Sequence, residues 1–137
     1  MEKNLKKIIF TLLLLVVSLF AEYKSEYPTK ELLNSGIPIV DIRTPGEWRE
    51  TGILKGAIPI MFFDQNGNYD VNRFLSKLNE KVDTKKPFAL ICRTGSRTSM
   101  VAPWLAKELG YNVINLKGGM MYVTQALGVK PVAYKAE

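Results

Sequence analysis

Apolar and polar positions alternate along the chain in blocks the size of single strands and short helices. Ile37-Pro38-Ile39-Val40-Asp41-Ile42 is an apolar run with an acid near its end. Ala57–Phe63 is a second, weakened in its first half by Pro59. Phe88-Ala89-Leu90-Ile91-Cys92 is a third, and Asn112-Val113-Ile114-Asn115-Leu116 a fourth. Between them the spacing predicts helices over Thr29–Asn34, Val71–Glu80, Thr98–Leu109 and Met120–Leu127. Val71, Phe74, Leu75 and Leu78 recur at helical spacing, as do Met100, Val101, Trp104, Leu105 and Leu109, and Gly110 stops the latter helix. Pro103 removes a backbone donor inside that helix, so a kink there or a start delayed to about Ser99 is expected. Strands apolar throughout and separated by helices mean a parallel sheet covered on both faces. The pattern is that of one α/β domain without internal repeat or linker.

The first block differs from the rest. Lys3, Lys6 and Lys7 precede Ile8–Phe20, an almost wholly apolar run, and the chain turns polar at Glu22. Residues 1–21 therefore read as a secretory leader, with cleavage after Ser18 or Ala21 and a folded domain over 22–137. The run is shorter than the roughly 20 residues a spanning helix requires. An uncleaved anchor over 8–21 is the alternative. Export to a bacterial periplasm is the expected destination.

The chain is 137 residues long, of which 47% are apolar, enough for one modest core. Its 19 Lys+Arg and 13 Asp+Glu give +6, and removing residues 1–21 takes away three Lys and one Glu, leaving +4. The charge is scattered, with no basic stripe interleaved with aromatics, so no nucleic-acid partner is expected. Small anions make better use of it. There is no histidine and one cysteine. Serine and cysteine triads with a histidine base, HExxH zinc sites, disulfides within the chain and CxxC pairs are all excluded. Chemistry, if present, runs on one thiol, hydroxyls, carboxylates or Lys and Arg.

That thiol lies where ligands bind in such sheets, in a loop between strand end and helix. Cys92-Arg93-Thr94-Gly95-Ser96-Arg97-Thr98 joins the most apolar strand to an amphipathic helix. Gly95 permits a tight turn with N–H groups pointing inward. The helix N-terminus adds unpaired donors and partial positive charge. Arg93 and Arg97 add permanent charge, and Thr94, Ser96 and Thr98 add hydroxyls. Such surroundings favour a nucleophilic thiolate and would cradle an anionic substrate.

This loop resembles the active-site loop of the rhodanese (thiosulfate sulfurtransferase) family. Asp41-Ile42-Arg43 is similar to the family's Asp-x-Arg. Glu47-Trp48 followed by Gly52-Ile53-Leu54-Lys55-Gly56-Ala57 is similar to its Glu-aromatic and Gly-His-Ile-Pro-Gly-Ala segments, and Leu116-Lys117-Gly118-Gly119 to its Gly-Gly turn. Ile53 stands for the usual His, Lys55 for the usual Pro and Val123 for an aromatic, and one extra residue separates Trp48 from Gly52. The resemblance runs from about Pro28 to Val132. It implies a central, mostly parallel sheet of about five strands flanked by helices on both faces. It also implies a ping-pong sulfurtransferase that works through a Cys92 persulfide. Arg93, Thr94, Gly95, Ser96, Arg97 and Thr98 would bind substrate, with the two arginines positioning the donor's sulfonate, and Asp41 and Arg43 would support the loop. The implied partners are a small anionic sulfur donor and a thiol, cyanide or protein acceptor, with no metal, no cofactor and no stable membrane contact once the leader is removed. A non-catalytic binding or sulfur-carrier module is the second reading. A cysteine phosphatase or arsenate reductase is the third, disfavoured because four residues rather than five separate Cys92 from Arg97.

Weaker signals have plainer readings. Asp64-Gln65-Asn66-Gly67-Asn68-Tyr69-Asp70 lacks the Gly and Glu positions of an EF-hand and reads as a polar turn capping the Val71 helix. Asp41 and Arg43 read as a structural pair. Trp48, Trp104, Met120 and Met121 read as core or pocket wall.

Overall fold

The computed structural model describes residues 21–137, so all but the last residue of the expected leader lies outside the described residues. Its strands are β1 (Tyr23–Glu26), β2 (Ile39–Asp41), β3 (Ile58–Pro59), β4 (Phe88–Ile91) and β5 (Val113–Leu116). They form one sheet in the order β1-β5-β4-β2-β3, with every pairing parallel. The helices are α1 (Lys30–Leu33), α2 (Pro45–Thr51), α3 (Val71–Lys81), α4 (Thr98–Leu109) and α5 (Gly119–Met121), the last continuing as a π-turn over Tyr122–Ala126.

Strand alternation divides the core in two. Phe88, Leu90 and Cys92 face a cluster with Val40, Ile42, Phe74, Leu78, Val101 and Leu105, so α3 and α4 cover that face. Ala89 and Ile91 face the other way, onto Ile39, Leu54, Leu116, Met120 and Val123, with Leu32 and Leu33 of α1 packed alongside. Both sides of β4 are therefore dry, which is why it reads as an uninterrupted apolar run.

The predicted elements appear with adjusted ends. Asp70 caps α3, its side chain accepting from the Arg73 N–H at 3.0 Å, as the polar turn before Val71 implied. Gly110 closes α4 in the left-handed region, its N–H donating to the Leu105 and Ala106 carbonyls. Pro103 lies inside α4, which begins at Thr98 and runs as one element to Leu109. The expected strand over Ala57–Phe63 shrinks to Ile58–Pro59. Beyond it the Ile60 and Phe62 N–H groups still reach the Asp41 and Ile42 carbonyls, at 3.0 and 3.2 Å. Pro59, with no N–H to give, is tolerated because β3 is an edge.

Two elements carried no hydrophobic signal. All four residues of β1 are exposed, and the strand is held by backbone pairing with β5. Helix α2 has a single buried side chain, Trp48. Its mark in the sequence is a capping box, in which the Thr44 hydroxyl accepts from the Glu47 N–H and the Glu47 carboxylate accepts from the Thr44 N–H, with Pro45 in the first turn. Among the described residues no helix is long and apolar enough to cross a membrane.

Candidate active site

Cys92 is the residue after β4 and is fully buried. Its Sγ accepts the Gly95 N–H at 3.2 Å and lies 3.6 Å from Thr98 Oγ1, a contact in which either atom can donate. Thr98, also fully buried, donates its hydroxyl to the Gly95 carbonyl at 3.2 Å. The loop thus curls over the sulfur, with Gly95 at φ +92° making the turn. The N–H groups of Thr94, Ser96, Arg97 and Thr98 have no protein acceptor among the described residues. Together with the start of α4 they leave several donors available to an anion.

A second turn locks the loop from behind. The Met120 and Met121 N–H groups donate to the Cys92 and Arg93 carbonyls at 2.9 and 3.0 Å. Such an approach needs glycine at the preceding turn. A Cβ on Gly119, at φ +58°, would lie 2.4 Å from the Cys92 carbonyl oxygen. A Cβ on Gly95 would lie 3.0 Å from the Gly118 nitrogen. The Gly118-Gly119 turn and the cysteine loop therefore form one interlocked piece.

The two loop arginines part company. Arg97 forks onto Glu47, with Nη1 to Oε1 at 2.7 Å and Nη2 to Oε2 at 2.8 Å, both side chains half-buried. This bond holds the Glu47 carboxyl down at about 2, against an ordinary 4.5; burial opposes the shift and the Thr44 N–H adds to it. Arg97 is raised in turn, chiefly by Glu47, with the charges of Cys92 and Asp41 contributing. Arg93 is exposed, and its guanidinium has no carboxylate partner among the described residues. Thr94 and Ser96 are exposed at the loop tip, their hydroxyls 3.4 Å apart.

Asp41 and Arg43 sit beneath, both buried. Arg43 donates from Nε and Nη2 to the Asp41 carboxylate at 2.8–3.1 Å, from Nη1 to Thr51 Oγ1 at 2.7 Å, and from Nη2 to the Gly52 carbonyl at 2.7 Å. Trp48 Nε1 donates to Asp41 Oδ1 at 3.2 Å. Every charge in this group is answered within the protein, so the pair is a brace between β2 and α2 rather than a substrate contact. Glu47 is the site member whose role the motif reading did not assign; its capping-box spacing from Thr44 was the available signal. Among the described residues no group of three or more His, Cys, Asp or Glu could hold a metal ion.

A family model described as the rhodanese-like domain matches residues 25–126. The chain belongs to the rhodanese-like family. A Rickettsia prowazekii (strain Madrid E) protein described as uncharacterized is 36% identical over 104 residues, covering 72% of this chain and 81% of its own. Among solved structures, a rhodanese-related protein from Thermoplasma volcanium is 24% identical with a TM-score of 0.55, covering 82% of this chain and 100% of that one. A Mycobacterium tuberculosis protein is 21% identical with a TM-score of 0.57, covering 73% of this chain and 80% of its own. These likenesses establish the five-stranded parallel α/β fold expected for a rhodanese-like domain.

Proposed function

We propose that this rhodanese-like protein is a sulfurtransferase that carries sulfane sulfur as a Cys92 persulfide. The observation that carries the reading is the sulfur itself: buried at a strand end and receiving the Gly95 N–H inside a loop whose other N–H groups are free. Such a loop stabilises an anion on sulfur without an imidazole. In the first half-reaction the Cys92 thiolate attacks the outer sulfur of thiosulfate. The new S–S bond forms as the old one breaks, and its electron pair leaves with sulfite. The persulfide anion takes over the loop's hydrogen bonds. In the second half-reaction a thiophilic acceptor attacks the outer sulfur and the electron pair returns to Cys92. Arg93 is the cation free to meet the donor's sulfonate, while Arg97 adds charge from its tether on Glu47. The four-residue spacing between Cys92 and Arg97 makes a small ring that suits sulfur better than a tetrahedral phosphate.

Mass analysis after thiosulfate treatment tests this. The protein is expected to gain one sulfur atom, lose it to cyanide, and gain none as Cys92→Ser. Failure to gain sulfur or release sulfite with any sulfane donor would overturn the reading, and Cys92-dependent hydrolysis of an aryl phosphate would replace it with a phosphatase. We further propose export with cleavage after Ala21. In support, Glu22 is tied to the edge of the sheet: its N–H donates to Asn112 Oδ1 at 2.8 Å and its carbonyl accepts from Val113. N-terminal sequencing of exported protein is expected to begin at Glu22.

A further inference from the structure

One edge of the sheet is a bare strand. Among the described residues β1 pairs with β5 on one side and with nothing on the other, and all four of its residues are exposed. The Glu22 and Glu26 carbonyls accept from the Val113 and Lys117 N–H groups. Backbone groups alternate sides along a strand, so those of Tyr23, Ser25 and Tyr27 point to the open edge. Such an edge is a template for a further strand, and natural proteins commonly blunt it with like charges or proline. Here the first proline is Pro28, and the two charges of Tyr23–Tyr27 are of opposite sign. Two large side chains flank those charges, Tyr23 at 41% and Tyr27 at 54% exposure.

The stretch Tyr23-Lys24-Ser25-Glu26-Tyr27 reads the same in both directions apart from the sign of its charges. We propose that it is a contact between two copies of this chain, in which β1 pairs antiparallel with the second copy's β1 about a two-fold axis at Ser25. Outward-facing residues must oppose outward-facing ones, which restricts the register. Centring on Lys24 or Glu26 sets two like charges face to face, and centring on Tyr23 leaves Glu26 opposite no residue of the second β1. Centring on Ser25 uses the whole strand. The two Ser25 residues exchange backbone hydrogen bonds, Tyr23 and Tyr27 of opposite copies do the same on either side, and Lys24 meets Glu26 twice. Those charge pairs occupy the narrow positions between hydrogen-bonded pairs, where facing side chains come closest. Within one copy Glu26 has no ion-pair partner among the described residues, and Lys24 has only Glu22 at 3.9 Å. Tyr27 is held ready. Its ring packs on Tyr122 with centroids 4.7 Å apart and lies 5.1 Å from the Lys117 ammonium, so docking it freezes little new freedom. The contact also abuts the site, because Gly118 packs between Tyr27 and Gly95 of the cysteine loop. It does not depend on the sulfurtransferase reading. A single strand pair is smaller than a standard interface, so the dimer is expected to be weak.

Sedimentation velocity of the purified protein at low salt tests this. The wild type is expected to pass from monomer to dimer at about 10–100 μM. Lys24→Glu sets carboxylates opposite each other at both charge pairs, and Glu26→Lys does the same with ammonium groups. Each reversal is expected to weaken association by about tenfold or more. An equimolar mixture of the two variants sets an acidic strand against a basic one. It is expected to associate at least as tightly as the wild type, although neither component does so alone, and the double variant Lys24→Glu/Glu26→Lys is expected to dimerise again. Rescue in the mixture also shows that neither variant has merely lost its fold. A wild type that stays monomeric up to about 1 mM, self-association that survives either reversal, or a mixture no heavier than its components would overturn the contact. None of these outcomes bears on sulfur transfer.

Discussion

Gly119 and Gly36 both hold positive φ, yet a side chain would cost them different amounts. At Gly36 an added Cβ meets nothing within 4 Å, whereas at Gly119 it meets the Cys92 and Arg93 carbonyls. Gly36→Ala is expected to cost about 1 kcal/mol of backbone strain, and Gly119→Ala about 3 kcal/mol or more, with the loop displaced as well. Urea unfolding of both variants, read beside thiosulfate charging, checks this: only Gly119→Ala should lose charging. Arg43 and Asp41 give a second residue-scale prediction. Removing one member of a buried ion pair leaves the other uncompensated, so Arg43→Met is expected to cost about 3–5 kcal/mol. A variant as stable as the wild type in urea would show that Asp41 finds another partner. The Cys92 loop itself was legible residue by residue, because glycine, arginine and hydroxyl types at a strand–helix junction have few other uses. The assignment of partners was not, since Arg93 and Arg97 look alike until Glu47 is placed beside one of them.

That placement belongs to the element scale, where α2 meets the start of α4. Arg97→Ala removes both a charge and this tether, whereas Glu47→Gln removes the tether's charge and keeps the guanidinium; comparing their charging kinetics separates the two contributions. The tether also has a pH signature. The Glu47 carboxyl is at about 2 in the folded protein and near 4.5 when unperturbed. A depressed folded value means that its stabilising contribution is complete above about 4.5 and is lost as pH falls toward 2. The urea midpoints of wild type and Glu47→Gln are therefore expected to differ above pH 4.5 and converge near pH 2. A difference independent of pH would show that the carboxylate's charge is not what Arg97 reads. Helix α2 escaped a reading based on periodicity because only Trp48 is buried in it, and β1 escaped because an exposed edge strand has no apolar face to show. By contrast β4, α3 and α4 were plain, since each buries a continuous face whose spacing is written in the residues.

At the scale of the whole molecule, the C-terminal segment closes over the brace beneath the site. Val132 and Ile53 exchange backbone hydrogen bonds at 2.8 and 2.9 Å, and Tyr134 packs on Trp48 with ring centroids 5.3 Å apart. Gly52, whose carbonyl binds Arg43, has no room for a side chain under Val132. A chain ending at Lys130 is expected to be about 2–4 kcal/mol less stable, from one aromatic pair and two hydrogen bonds, with altered Trp48 fluorescence. An unchanged unfolding midpoint would reduce the segment to a passenger.

The sequence by itself determined the fold class and the place of the sulfur. Burial on both faces of a parallel strand requires an unbroken apolar run, and a loop built around an anion requires glycine, arginine and hydroxyl residues in a short stretch. Only the tertiary structure decided which charges are spent and which are free. Glu47 and Arg97 stand fifty positions apart, and Met120, whose N–H holds the Cys92 carbonyl, follows a later strand. Their meeting depends on the strand order β1-β5-β4-β2-β3, which sets β2 beside β4 and β4 beside β5 and so gathers the loops that follow them at one end of the sheet.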